Sequence, residues 1–338
     1  MRRMIGVVIF FMLVCTVCAG PASAQEMLPI PLSEVKNWGY QIQGLEYPER
    51  LERLAAAGFD MVVVEPMATM DEYADFDARG MVCRLASTPA SLPGYRTVVL
   101  AYVDIGQAEE WRSYFTDDWV PPTLFRGGTP DFMAGLDPDG WAGNYPVAYW
   151  DPRWKEIMIY GTGSVLETIL ELGFDGIYMD WVEAYDDDRV IDMASDAGID
   201  APQEMVRFIG EIREYARDIN PDFLVVPQNA PYLVEDADGY LAVIDAVAVE
   251  DLSYAGDGDV DWESRRSGDT ETERGMCEWC REDIARVLGI YRDRGLAVFT
   301  VDYCVDPENA EEAVRYSRSR SFIPFVSRTP LDRLPDGM

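Results

Sequence analysis

The chain has 338 residues, with 61 acidic and 28 basic side chains, a net charge of −33 and no histidine. This negative charge argues against nucleic acid as a partner, and it indicates either an adaptation for solubility or a cationic substrate. The absence of histidine excludes the usual serine and cysteine triads, histidine-ligated zinc and imidazole bases. Carboxylates are the favoured catalytic groups, and we expect neither a metal nor an organic cofactor.

Residues 1 to 24 have the features of a secretory signal peptide. Two arginines precede an apolar run from Met4 to Cys18, and Ala22-Ser23-Ala24 is a typical cleavage site. The run is shorter than the roughly 20 residues that span a bilayer. We therefore expect a secreted or periplasmic protein with no stable membrane insertion after cleavage. The mature chain would keep 26 basic and 61 acidic residues, a net charge of −35.

Strand-like runs then alternate with amphipathic helices along the chain. The predicted strands cover residues 37–42, 60–65, 98–104, 174–180, 222–227, 244–250, 296–302 and 321–326. Helix ends are indicated by Asp151-Pro152 at a start and by Gly173 just after a last turn. Eight parallel strands are the number that closes a (β/α)8 TIM barrel, so we predict that residues 25 to 338 form one such α/β domain. An open doubly wound sheet is the alternative.

Residues 105–150 are predicted to be a long loop after the third strand, with Val147 to Trp150 as a possible extra strand. Because loops that follow barrel strands surround the C-terminal face, this segment is expected beside the active site.

Four cysteines remain after removal of the signal peptide: Cys83, Cys277, Cys280 and Cys304. An even number in an oxidising compartment favours disulfides, in any of three connectivities. Cys277 and Cys280 also have the spacing of a redox pair, but no thioredoxin-like strand precedes them, so this alternative is less favoured.

A second acidic pattern, Asp257-Gly-Asp259-Val-Asp261, has the carboxylate spacing of a calcium loop. The sixth and twelfth positions are Trp262 and Gly268 instead of glycine and glutamate. The pattern is therefore not an EF-hand, and we interpret it as a solvated loop, with a looser calcium site as the alternative.

The predicted strands end in acidic residues, where barrel enzymes carry their functional groups. These strand-end residues are Glu65, Asp104, Asp180, Glu250 and Asp302. Converging carboxylates repel one another, which separates their pKa values as a general acid and a nucleophile require. Glycosidases use two such carboxyl groups, commonly beside aromatic rings that contact the sugar. The sequence thus predicts a glycosidase.

The chain also resembles glycoside hydrolase family 114, the endo-α-1,4-polygalactosaminidase group, along nearly all of the mature sequence. The matching segments include Trp38-Gly-Tyr-Gln-Ile-Gln43, Ala101-Tyr-Val-Asp-Ile-Gly106, Gly173-Phe-Asp-Gly-Ile-Tyr-Met-Asp180, Pro227-Gln-Asn229 and Val249-Glu-Asp-Leu252. The resemblance implies a (β/α)8 barrel that cleaves α-1,4-linked galactosamine and N-acetylgalactosamine polymers, with Asp180 and Glu250 as catalytic residues. We interpret Asp180 as the nucleophile and Glu250 as the general acid/base, which predicts retention of anomeric configuration.

Other residues near the same strand ends are expected to contact the polysaccharide. They are Trp38, Tyr40, Gln41, Glu65, Asp104, Tyr149, Trp150, Asp151, Tyr178, Glu183, Tyr185, Gln228, Asn229, Asp302 and Tyr303. Structural alternatives are a helix cap for Asp180 and Asp151 and a buried ion pair for Glu250.

One segment departs from the family pattern. The family has Ser-Ile-Gly-Glu-Ala-Glu after the third strand, whereas this chain has Asp104-Ile-Gly-Gln107-Ala-Glu109. The change either shifts sugar specificity or moves a contact. A hydrolase of another α-linked polysaccharide and a non-catalytic polysaccharide-binding barrel are the alternative functions.

Overall fold

The computed structural model describes residues 27–335, so the predicted signal peptide lies outside the described residues. All eight predicted strands are confirmed, and each end lies within two residues of the prediction. The strands are β1 (Trp38–Gln41), β2 (Met61–Val64), β3 (Val98–Asp104), β4 (Gly176–Asp180), β5 (Leu224–Pro227), β6 (Ala246–Val249), β7 (Ala297–Tyr303) and β8 (Ile323–Ser327).

Helices lie between these strands. As predicted, one helix begins at Pro152 after the cap Asp151, and another ends just before Gly173. They are α1 (Pro48–Ala56), α2 (Ala78–Ala86), α3 (Pro152–Lys155), α4 (Val165–Leu172), α5 (Asp188–Ala197), α6 (Ala201–Ile219), α7 (Leu233–Asp236), α8 (Tyr240–Val243), α9 (Arg281–Asp293) and α10 (Pro307–Ser319). A π-helical turn, Glu156–Tyr160, follows α3, and 3-10 turns cover Leu32–Glu34, Met67–Thr69, Asp71–Tyr73 and Val182–Asp186. Gly173 ends α4 with a φ of 87°, a left-handed conformation that glycine adopts without strain. Among residues 27–335 no helix is both long and apolar enough to cross a membrane.

The strands run parallel in two sheets, and within each sheet they follow chain order. Strands β1 to β5 form one sheet, and β6 to β8 form the other. The backbone N–H of Asn229 donates to the carbonyl of Ala248 at 3.0 Å, which links the end of β5 to β6. On the other side, Nε1 of Trp38 in β1 donates to the carbonyl of Ile323 in β8 at 3.0 Å. A doubly wound sheet would reverse its strand order at a switch point, and neither sheet does so.

The side chains between the strands form an apolar and aromatic core. Trp38 is 1% exposed, and its ring centroid lies 5.2 Å from that of Phe299 and 6.0 Å from that of Tyr178. The strands pair in register, with Asp104 opposite Asp180 at the ends of β3 and β4. Their C-terminal ends therefore lie at one edge.

The long loop after β3 contains a small antiparallel ribbon of Gln107–Glu109 and Asn144–Pro146. The possible extra strand at 147–150 is wrong, since Val147 forms only an isolated bridge with Met133. Two further short pairs join Leu28–Pro29 to Tyr95–Arg96 and Tyr254–Ala255 to Thr270–Glu271.

The cysteines follow the prediction only in part. Cys277 and Cys280 form a disulfide just before α9. Cys304 is a buried free cysteine at the end of β7, packed near Tyr254 and Val326. The expectation that all four cysteines pair is therefore wrong for Cys304, whose apolar surroundings contain no second thiol among the described residues.

Candidate active site

Asp180 and Glu250 lie at the ends of β4 and β6, and each carboxylate is held by hydrogen bonds. Asp180 accepts from the hydroxyl of Tyr102 and, at 2.8 Å, from the backbone N–H of Trp181. Glu250 accepts from the hydroxyl of Tyr303 and, at 3.0 Å, from Nδ2 of Asn229. Both carboxylates are partly exposed to solvent. Neither forms an ion pair within residues 27–335, so the arginine pair considered for Glu250 is not found.

The environment raises the pKa of both carboxyl groups. Burial raises the pKa of Asp180, while hydrogen bonds from the Tyr102 hydroxyl and the Trp181 N–H oppose this change. Burial, and then the negative charge of Asp180, raise the pKa of Glu250 to about 7. Because the two groups repel each other, the pair holds a proton near neutral pH more readily than isolated carboxylates do. Two-carboxylate catalysis requires one protonated and one ionised group.

Three residues with left-handed backbone conformation follow the strand ends of the site. Trp181, Asn229 and Asp251 have φ values of 53°, 56° and 57°. Residues other than glycine rarely adopt this conformation, and such strain clusters at active sites. At Trp181 the turn directs the backbone N–H to Asp180, and at Asn229 it accompanies two hydrogen bonds with Glu250.

Buried polar atoms without a hydrogen-bond partner surround the two carboxylates. They include the hydroxyl of Tyr178, both amide atoms of Gln228 and Oε2 of Glu183. Burial, and then the negative charges of Glu250 and Asp180, raise the pKa of Tyr178 well above its usual value. The Tyr178 hydroxyl therefore remains a hydrogen-bond donor. An unpaired buried polar atom costs about 1 to 3 kcal/mol. Sugar hydroxyls or water would supply the missing partners.

The sequence matches the model of glycoside-hydrolase family GH114 over residues 34–336. The chain belongs to this family. It is therefore a glycosidase.

The chain also has relatives of similar sequence and solved structures of similar fold. An uncharacterized protein of Deinococcus radiodurans is 31% identical over 326 residues, which cover 94% of this chain and 91% of that protein. An uncharacterized protein of Thermotoga maritima is 32% identical over 222 residues, which cover 64% of this chain and 60% of that one. Ega3 of Aspergillus fumigatus, solved in complex with galactosamine, has a TM-score of 0.58 at 13% identity, covering 93% of this chain and 98% of Ega3. The glycoside hydrolase domain of PelA from Pseudomonas aeruginosa has a TM-score of 0.54 at 16% identity, covering 88% and 96%. At these identities the two structures share the fold.

Several strand-end carboxylates of this GH114 chain form ion pairs or hydrogen bonds within the protein. Glu65 is 6% exposed and pairs with the buried Arg112, which also binds Glu109. Oδ1 of Asp104 accepts from the backbone N–H groups of Gly106 at 3.0 Å and Gln107 at 2.8 Å.

Asp302 is fully buried and accepts from the backbone N–H groups of Ser253 and Tyr254. The loops after the strands bind these carboxylates, and contact of Glu65, Asp104 and Asp302 with substrate stays a prediction.

Three of the aromatic residues expected to contact sugar are core residues. Trp38 is covered by other rings, and Tyr149 is fully buried with its hydroxyl donating to the carbonyl of Ala201 at 2.6 Å. Tyr185 is 5% exposed and donates to Asp236 at 3.3 Å. These three side chains are buried, and their contact with sugar stays a prediction.

Two polar residues are also structural. Gln41 is fully buried and donates to the carbonyls of Gln43 and Asp332, at 3.2 Å each. Asp151 caps α3 by accepting from the Arg153 N–H at 2.8 Å and pairs with the same arginine. The helix-cap alternative is confirmed for Asp151, and contact of either residue with substrate stays a prediction.

The remaining residues predicted to contact substrate lie near Asp180 and Glu250. Tyr40 lies near both carboxylates, since Glu250 and Asp180 add to burial in raising its pKa well above the usual value. Five more of these residues contact or surround the same two carboxylates, namely Tyr178, Glu183, Gln228, Asn229 and Tyr303. Trp150 keeps a partly exposed ring against Tyr149, and its contact with substrate stays a prediction.

Gln107, which stands where the family pattern has glutamate, is explained by its neighbours. Nε2 of Gln107 donates to Asp137 at 2.6 Å, and its Oε1 accepts from Asn144 at 2.9 Å. Asp137 also accepts from the backbone N–H of Trp141 at 3.0 Å. A glutamate at 107 would place a second carboxylate against Asp137, whereas the amide can donate to it.

The sequence analysis did not identify Asp137 and Asp139 as residues near Asp180. Burial and then the charges of Asp137 and Asp180 raise the pKa of Asp139, which places it beside Asp180. The run Asp137-Pro-Asp139-Gly-Trp141, in the loop expected to lie beside the active site, is the signal that could have identified them.

The described residues contain one group of side chains close enough to hold a metal ion, namely Glu273, Cys277 and Cys280. The two cysteines form a disulfide, so they offer no thiolates. Asp257, in the acidic loop, pairs with Arg266 at 2.7 Å on the surface, as in the solvated-loop interpretation.

Proposed function

We propose that this GH114 glycosidase cleaves α-1,4-linked galactosamine and N-acetylgalactosamine polysaccharide, with Asp180 as nucleophile and Glu250 as general acid/base. The observation that carries this proposal is the pair itself. Two partly exposed carboxylates end β4 and β6, each held by a tyrosine hydroxyl, and the pKa of Glu250 is raised to about 7. Glu250 can then hold a proton near neutral pH, while the hydrogen bonds from Tyr102 and the Trp181 N–H favour the ionised form of Asp180.

The reaction has two steps, each with inversion at the anomeric carbon, so the overall result is retention. First the Asp180 carboxylate forms a bond to the anomeric carbon while the glycosidic C–O bond breaks. Glu250 gives its proton to the leaving oxygen. Then Glu250 takes a proton from water, the water oxygen bonds to the anomeric carbon, and the ester bond to Asp180 breaks.

The hydrogen bonds fit these roles. The Tyr102 hydroxyl and the Trp181 N–H stabilise the ionised form of Asp180. Asn229 holds Glu250 by two hydrogen bonds. Its Nδ2 donates to Oε2 of Glu250 at 3.0 Å, and its Oδ1 accepts from the backbone N–H of Glu250 at 2.9 Å. Fixed orientation of both groups lowers the entropy cost of reaching the transition state.

The acidity of the chain supports a cationic substrate. The net charge is −33, and Asp137, Asp139 and Glu183 lie around the catalytic pair. A partly deacetylated polymer carries ammonium groups that this field would attract. Ega3, with the same fold, was solved in complex with galactosamine.

Export and barrel closure belong to the same proposal. The Cys277–Cys280 disulfide supports an oxidising compartment, as the signal-like sequence of residues 1 to 24 does. The hydrogen bond from Trp38 to Ile323 supports closure between β8 and β1 into a single (β/α)8 barrel.

The stereochemistry and the roles are tested together. Proton NMR immediately after mixing with galactosamine oligosaccharides should detect the α-anomer of the new reducing end first. Glu250→Gln should accumulate a covalent glycosyl adduct on Asp180 from an activated aryl glycoside, seen by intact mass, because that leaving group needs no acid. Initial appearance of the β-anomer, or an adduct on another residue, would contradict the assigned mechanism.

A further inference from the structure

The long loop after β3 carries an exposed tryptophan that no catalytic role accounts for. Trp141 is 47% exposed. Its backbone N–H donates to Asp137 at 3.0 Å, and Asp137 accepts from Gln107 at 2.6 Å at the start of the same loop. The base of the Trp141 turn is therefore anchored while the ring stays accessible.

The ring reaches a second loop, the one after β6. A β-carbon at Gly258 would lie 2.6 Å from both Cη2 and Cζ2 of Trp141, so the indole packs directly on the glycine backbone. Asp180 and Glu250 end β4 and β6, and Trp141 connects the loops that follow β3 and β6. The indole thus lies across the edge where the catalytic carboxylates are found.

Two carboxylates that form no ion pair within residues 27–335 lie on the loops that follow β3 and β4. Asp139 is two residues from Trp141 and is exposed. Glu183 is partly exposed, and its Oε2 has no hydrogen-bond partner. A β-carbon at Gly106, at the start of the loop that carries Trp141, would lie 2.7 Å from Cβ of Ala184, the residue after Glu183. Burial and then the charges of Asp137 and Asp180 raise the pKa of Asp139, and burial and then the charge of Asp180 raise that of Glu183. Within residues 27–335 neither Asp139 nor Glu183 pairs with an arginine or a lysine.

An aromatic ring beside unpaired carboxylates suits an amino sugar. The apolar face of a pyranose ring stacks on indole, and its ammonium group is attracted to carboxylates and to the π face. A neutral sugar would gain from the stacking alone. Phosphate or another anion would be repelled.

We propose that Trp141, Asp139 and Glu183 form a subsite that binds one galactosamine unit of the polymer next to the catalytic carboxylates. The inference rests on the proposed function, since it names the part of the same cleft that recognises the amino group. Trp141 binds the ring, and the two carboxylates distinguish galactosamine from N-acetylgalactosamine.

The test compares steady-state kinetics on deacetylated and fully N-acetylated α-1,4-galactosamine oligosaccharides. Trp141→Ala should raise KM about tenfold on both, equal to about 1.4 kcal/mol of binding, with kcat within about twofold. Asp139→Asn should raise KM on the deacetylated chain and leave the acetylated chain unchanged. The matched control is Phe125→Ala, which removes a 96% exposed ring from the same loop and should change neither constant.

Gly258→Val provides an independent variant, because its side chain must displace the indole without removing it. It should raise KM as Trp141→Ala does. If the parent cleaves these oligosaccharides and the KM of Trp141→Ala stays within about twofold, the subsite is wrong and the proposed function stands. Equal effects of Asp139→Asn on both oligosaccharides would overturn the charge recognition. If the parent neither cleaves nor binds them, the proposed function and the subsite fail together.

Discussion

The hydroxyl of Tyr303 sets the proton affinity of Glu250, and its removal should move one limb of the pH profile. The hydroxyl donates to Oε1 of Glu250, which stabilises the ionised carboxylate. A hydrogen bond to a charged group contributes about 1.5 to 3 kcal/mol, and one pKa unit corresponds to about 1.4 kcal/mol. In Tyr303→Phe the pKa of Glu250, about 7 in the parent, should therefore rise by about one unit or more.

The sign follows from the role of the group. Glu250 must be protonated to act as the acid, so a higher pKa extends activity to higher pH, and the alkaline limb of kcat/KM moves up by about one unit. The assay is the pH dependence of kcat/KM on galactosamine oligosaccharides, with circular dichroism at each pH to verify folding. An unmoved alkaline limb, or one that moves to lower pH, would refute the assignment of Glu250 as the acid.

Tyr102→Phe is the matched variant, because the Tyr102 hydroxyl donates to Asp180 instead. Its loss should raise the pKa of Asp180, which must be ionised to attack. The acid limb should then move to higher pH, while the alkaline limb stays where it is. The same shift in both variants would mean that the two tyrosines do not act on separate carboxylates.

Three further changes test how the loops support the site. Arg112→Met leaves two buried glutamates unpaired and should lower the free energy of unfolding by about 3 to 5 kcal/mol in urea titrations at pH 8; a parent-like midpoint would contradict the structural role. Gln107→Glu should set two carboxylates against each other at Asp137 and speed proteolysis of the 105–150 loop at pH 8 more than at pH 5; equal rates at both pH values would refute this. A β-carbon at Gly106 would lie 2.1 Å from the carbonyl oxygen of Trp181, so Gly106→Ala should lower kcat about tenfold by displacing the Asp180 turn, with unchanged kcat as the contrary result.

The eight strands could be predicted from the sequence because their signals are local. Runs such as Met61–Val64 are short and apolar, and turn signals such as Gly173 stand beside them. Asp180 and Glu250 were identified because strand ends in this fold lie on one face. The family resemblance selects the same two residues.

Some of the strand-end carboxylates have partners that are distant in the sequence, which a local pattern does not reveal. Glu65 is satisfied by Arg112, 47 positions away, and Asp302 by the backbone of Ser253, 49 positions away. No local pattern distinguishes a carboxylate that binds a loop from one that faces the cleft. Trp141 could not be identified either, since it lies in an irregular loop without periodicity and its ring packs on Gly258, which is distant in the sequence.

The measurement that tests the central claim most directly is release of reducing ends from galactosamine-containing polysaccharide by the purified protein, beside Asp180→Asn and Glu250→Gln. The account predicts cleavage by the parent and loss of at least about a thousandfold in both variants, each folded as judged by circular dichroism. Retained cleavage in either variant would contradict the assignment of the catalytic pair, and a folded parent that releases no reducing ends would contradict the proposed substrate.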